Sequence, residues 1–105
     1  MFKQLTHTEA DTLIAQGDVV VLDVRDQKSY EASCIPTAVH FSMSDLTAFC
    51  DEMDKHLPIL VYCFHGISSQ AVAGHLVEQG FTQVYSLIGG FDVWSTHHSA
   101  SNSSS

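Results

Sequence analysis

Ile59-Leu60-Val61-Tyr62-Cys63-Phe64-His65-Gly66-Ile67-Ser68-Ser69 is the stretch from which the rest of the chain can be placed. Four apolar or aromatic residues, led in by Pro58 and rich in branched side chains, predict a short buried strand. A compact loop with Gly66 follows. Beyond it Ala71, Val72, Leu76 and Val77 repeat at helical spacing, with Ser68 or Ser69 as the expected N-cap. Cys63 then stands where a strand ends, facing a loop that closes onto a helix N-terminus. Unpaired amide groups and the helix dipole there favour a thiolate over a thiol, and the thiolate is the nucleophile. The bland alternative for a lone cysteine is core packing; its place at the strand end favours chemistry.

Outward from this stretch the same alternation repeats. Phe2 to Leu5 suggests an edge strand, and Thr6 with Glu9 has capping-box spacing for a helix that Gly17 closes. The branched run Val19 to Val24 predicts a central parallel strand covered on both faces. Ser29 to Ser33 fits one helical turn, Ala38 to Phe41 a short strand, and Ser42 with Asp45 another helix start. Val84 to Leu87 is the last strand, and Gly89-Gly90 a tight turn into a helix carrying Phe91 and Trp94. Strands and helices alternating through short connections predict an α/β domain with a mainly parallel sheet and helices on both faces. Ligands of such sheets bind beyond the carboxyl ends of the strands. Asp23/Arg25, Cys63 and Gly89/Gly90 should share that rim. Residues 1–96 are expected to form one domain, and 97–105 a disordered polar tail.

Composition narrows the partners. The 105 residues are 45% hydrophobic and 15% charged, as in a folded protein, and carry a formal net charge of −8. Such a surface repels nucleic acid and anionic lipid, so neither is expected as a partner. Cys34, Cys50 and Cys63 are odd in number and without CxxC spacing, which suggests neither a disulfide framework nor a zinc site. With no signal-type or membrane-length apolar run, the expected location is the reducing cytoplasm. No metal and no cofactor are implied.

Three chemistries use a cysteine in a strand–loop–helix. Phosphate-ester hydrolysis needs an arginine to clamp the phosphoryl group, spaced from the cysteine as Ser69 is here, and the loop holds neither Arg nor Lys. Thioredoxin-like redox work wants a second cysteine at His65-Gly66. Sulfur transfer fits better: a lone thiolate attacks a sulfane sulfur, holds it as a persulfide, and main-chain amides stabilise the charge. The amides of Phe64, His65, Gly66, Ile67, Ser68 and Ser69 would cradle the anion, with hydroxyls from Ser68 and Ser69. His65 is either a base or donor to substrate, or a solvated loop residue. Arg25, the only arginine, either pairs with a nearby acid or lends charge to the rim; the structural role is favoured. Cys50 is expected in the core, and Cys34 has no assigned role.

Val21-Leu22-Asp23-Val24-Arg25, Ile35-Pro36 with Ala38, the Cys63 loop, and Tyr85-Ser86-Leu87-Ile88-Gly89-Gly90-Phe91 with Trp94 together resemble the single-domain rhodaneses, close to the small bacterial thiosulfate sulfurtransferases. The resemblance covers Leu5 to about Trp94. It implies a rhodanese-like α/β fold, a persulfide on Cys63, and transfer of sulfur from thiosulfate, a small anionic donor, to cyanide. It also implies a thiol or thioredoxin-type protein as acceptor. The loop length resembles the sulfurtransferases rather than the related phosphatases. Two places depart from many family members: Ser33-Cys34-Ile35-Pro36-Thr37 replaces a glycine- and histidine-containing loop, and Ser68 replaces a basic residue. The rival is a non-catalytic binding or regulatory module of the same fold, against which the intact cysteine argues.

Overall fold

The computed structural model describes residues 1–103, with side chains described through residue 98. Its strands are β1 (Lys3–Leu5), β2 (Val20–Asp23), β3 (Val39–His40), β4 (Ile59–Tyr62) and β5 (Val84–Leu87). Its helices are α1 (His7–Ala15), α2 (Gln27–Ala32), α3 (Leu46–Glu52), α4 (Ser68–Glu78) and α5 (Gly90–Ser103), and a 3₁₀ turn, Met43–Asp45, leads into α3. The strands form one sheet in the order β1-β5-β4-β2-β3, and every pairing is parallel. Parallel neighbours need crossovers, and the helices supply them.

The central position of β4 explains its composition. Ile59, Leu60, Val61 and Tyr62 are all fully buried. Ile59 and Val61 face the layer of α3 and α4 with Leu22, Val72, Leu76 and Phe81. Leu60 and Tyr62 face the layer of α1 and α5 with Ala10, Val21, Leu87 and Phe91. A strand buried on both faces cannot alternate polar and apolar residues, so the run is continuous. Each such side chain contributes about 1.5–3 kcal/mol relative to exposure.

Local signals behave as their chemistry dictates. The Thr6 hydroxyl accepts from the Glu9 amide, and the Glu9 carboxylate accepts from the Thr6 amide, closing the capping box. Gly17 and Gly80 take the left-handed φ of +91° and +103° just beyond α1 and α4. Two expectations change. Helix α4 has Ile67 at its N-cap, with no side-chain cap, and Ser68 and Ser69 lie inside its first turn. Helix α5 runs to Ser103, past residue 96, where an ordered domain was expected to end. His97 stacks on His7 at 3.9 Å between ring centroids, and His98 stacks on Trp94 at 3.7 Å. His98 also lies 2.9 Å from the Asp11 carboxylate, so these polar residues dock α5 on α1 through their rings. Residues 104 and 105 of the expected tail lie outside the described residues.

Candidate active site

Strands β2, β4 and β5 end together, since Asp23 pairs with Tyr62 and Val61 with Ser86. This brings Arg25, Cys63 and Gly89-Gly90 to one rim, as the alternation predicted. A cavity of about 450 Å³ opens there, lined by Val24, Arg25, Asp26, Ser29, Cys63, Phe64 and Ser68.

The loop after β4 is held from outside. Its carbonyls at Cys63 and Phe64 accept from the amides of Phe91 (2.8 Å) and Asp92 (2.9 Å), in the first turn of α5. Gly90 makes this contact possible. It has φ +60°, and a Cβ there would stand 2.4 Å from the Cys63 carbonyl and 2.6 Å from that of Phe64. Gly66, with φ +87°, leaves equally little room: its Cβ would meet the Gly89 amide at 2.8 Å. With its carbonyls drawn toward α5, the loop turns amides inward. Gly66 N–H and Ser69 N–H donate to Cys63 Sγ at 3.1 and 3.3 Å, and Ser69 Oγ lies 3.4 Å from the sulfur. Ser69 Oγ is in turn 2.8 Å from Ser86 Oγ on β5.

The electrostatic outcome follows from competition. Burial pushes the Cys63 thiol up; against it, the Ser69 hydroxyl, the Ser69 and Gly66 amides and a smaller share from the Ile67 amide pull it below the ordinary thiol value. The hydrogen bonds win, so the thiolate is more favoured than in an ordinary cysteine. Phe64, His65 and Ser68, also expected in the cradle, do not donate to Sγ. Phe64 and Ser68 line the cavity, and His65 is exposed with Nδ1 3.8 Å from Asp92.

Arg25 takes its structural role. Its guanidinium grips the fully buried Asp23 carboxylate, with Nη2 at 2.7 Å, donates to the Ser33 carbonyl, and lies 4.0 Å over the Phe91 ring. Asp23 also accepts from the Arg25 amide at 2.9 Å, capping the rim as expected. Sequence reasoning missed the Tyr62 hydroxyl, which donates to Asp23 at 2.6 Å and accepts from the Ile35 amide at 3.1 Å. Burial and the Asp23 carboxylate push its phenol far above the usual range, so it stays protonated. Its place in an apolar run concealed a polar tip. This network fixes the Ser33 to Ile35 loop against β4. It also leaves the cavity wall without a spare cation: Arg25 is neutralised by Asp23. Asp26, held below the usual carboxylate range by Ser29, adds a negative charge.

Cys50 is buried among Phe41, Phe81 and Ile59, as expected for a core residue. Cys34 is half-buried against the α1 and α5 layer.

A rhodanese-like domain model matches residues 6–97. The chain belongs to the rhodanese-like family. It is 56% identical over 102 residues to the thiosulfate sulfurtransferase GlpE of Coxiella burnetii, covering 97% of this chain and 95% of that protein. The Pseudomonas syringae protein of the same name is 44% identical over 95 residues, covering 90% and 89%. Among solved structures, the rhodanese-like domain of an Anabaena protein superposes with a TM-score of 0.77 at 29% identity, over 92% of this chain and 76% of that one.

Proposed function

We propose that the protein is a thiosulfate sulfurtransferase working through a persulfide on Cys63. The observation that carries this reading is a buried sulfur receiving two main-chain N–H bonds in a loop without Arg or Lys. Near-full-length similarity to proteins named thiosulfate sulfurtransferase supports it.

The Cys63 thiolate attacks the terminal sulfur of thiosulfate. The new S–S bond forms as the bond between that sulfur and the sulfonate sulfur breaks, and sulfite departs with the bonding pair. Charge balances: a thiolate and a dianion become a persulfide anion and a dianion. Cyanide, or the thiolate of a thiol or thioredoxin-type acceptor, then attacks the outer sulfur, and Cys63 leaves as thiolate. The amides of Phe64 to Ser69, with Ser68 and Ser69 hydroxyls, cradle the anions, stabilising charge without a counter-ion that would hold the product. Arg25 acts by holding the rim. Among the described residues no helix is long and apolar enough to cross a membrane, which is compatible with work in a reducing cytoplasm.

Intact mass tests the reading. Thiosulfate should add one sulfur atom, roughly 32 Da, that cyanide removes and that Cys63→Ser never acquires. An unchanged mass with thiosulfate and with other sulfane-sulfur donors would instead indicate the binding module.

A further inference from the structure

Ser86 faces the α4 layer from β5, between two paired strands, at a site where an apolar side chain would add to the core. It is 1% exposed, and Ser69 is fully buried. A buried hydroxyl without a partner is costly, so the one hydrogen-bonding contact its side chain makes among the described residues carries meaning. That contact is Ser69 Oγ, at 2.8 Å.

Counting protons shows what it does. Cys63, Ser69 and Ser86 form a chain of three atoms with two links, 3.4 and 2.8 Å long. With a thiol there are three protons for two links, and one donor is left over. With a thiolate there are two. Ser86 O–H then donates to Ser69 Oγ, Ser69 O–H donates to the sulfur, and every proton is used. Without Ser86, the Ser69 hydroxyl loses the donor that turns its own proton toward the sulfur.

We propose that Ser86 is a positioning residue: by donating to Ser69 Oγ it commits the Ser69 proton to the Cys63 sulfur and so favours its anionic form. The Ser69 hydroxyl then donates its hydrogen bond to that sulfur both when Cys63 attacks and when it leaves as thiolate. This purpose rests on the proposed sulfur transfer, but the effect on the thiol does not.

Alkylation of Cys63 by iodoacetamide, followed by peptide mass mapping across pH, tests it without any sulfur donor. Ser86→Ala should slow alkylation at neutral pH by about three- to tenfold, displace the profile upward, and leave the alkaline limit unchanged. Ser86→Thr and Ser86→Val share a shape and any packing strain, so only the valine variant should show the displacement. In a Ser69→Ala background Ser86→Ala should add nothing. Superimposed profiles for wild type and Ser86→Ala, equal displacement by Thr and Val, or an undiminished effect in the Ser69→Ala background would each overturn the proposal. Failure to gain sulfur from any donor with these alkylation results intact would sink the transferase reading alone.

Discussion

Cys63 and Cys50 are nearly equally buried, 6% and 7% exposed, one following β4 and the other within α3, and their thiols are shifted in opposite directions. Burial pushes both thiols up. At Cys50 little opposes it, Lys55 pulling weakly the other way, and the pKa rises. At Cys63 hydrogen bonds from Ser69 and Gly66 overcome the same penalty. Depth therefore does not decide reactivity; the donors aimed at the sulfur do. The difference originates in backbone direction. Cys50 lies within α3, where amides are spent on the helix, whereas Cys63 ends a strand and the next six residues are free to turn inward.

The strongest way to break this contrast is to change each sulfur in turn. Cys63→Ser should lower the rate of sulfur transfer by about three orders of magnitude or more. Cys50→Ser should leave that rate within about twofold and instead destabilise the fold by about 1–3 kcal/mol, read by chemical denaturation, because it places a stronger hydrogen-bonding group in an apolar cluster. Equal loss of transfer in both variants would erase the distinction.

Next in size is the seat of the loop. Gly90→Ala leaves Cys63, Ser69 and Ser86 in place, but its Cβ, 2.4 Å from the Cys63 carbonyl, must push the loop off α5. Transfer should fall by about 10–100-fold as the amides lose their aim, and Cys63 alkylation at neutral pH should slow with it. Cys50, remote from that turn, should keep its protection from the reagent.

The smallest effect is the sharpest in sign. The folded pKa of Cys63 lies below its unfolded value, near 8.5, so its stabilising contribution is complete above that value and is lost as pH falls through the folded pKa. The folded pKa of Cys50 is raised, so its contribution is complete below about 8.5 and is lost as pH climbs toward the folded value. The melting temperature of wild type relative to Cys63→Ser should therefore rise as pH climbs toward about 8.5 and level off beyond it, and relative to Cys50→Ser it should fall above about pH 8.5. Slopes of the same sign would show that something other than the main-chain donors governs Cys63.

Much of this was legible in the residues because it is local. Continuous branched runs gave β2 and β4 within a residue or so, and the Thr6/Glu9 box and Gly17 gave α1 both its ends. The rim positions of Arg25 and Cys63 followed from strands pointing one way. What remained hidden needs contacts between distant segments. Gly90 read as a turn glycine, although its closest approach is to Cys63 and Phe64, far back in the chain. Ser69 read as a helix cap and as part of a cradle for the substrate anion, and the structure sets its amide and hydroxyl against the sulfur itself. Tyr62 and Ser86 were concealed because a strand pattern records which face a side chain takes, not which hydroxyl waits there. The stretch after residue 96 has no aliphatic residue larger than Ala100, and the stacking of His97 and His98 on other rings leaves no periodic mark.

Strand β4 stands in the middle of the five, with a partner on each side. Native-state amide exchange should find its N–H groups among the slowest in the protein, open only to whole-molecule unfolding. The nucleophile grows directly from that most persistent segment. Warming should thus extinguish turnover and the far-ultraviolet helical signal in a single cooperative step, with no temperature range in which a native-looking protein has already lost its chemistry.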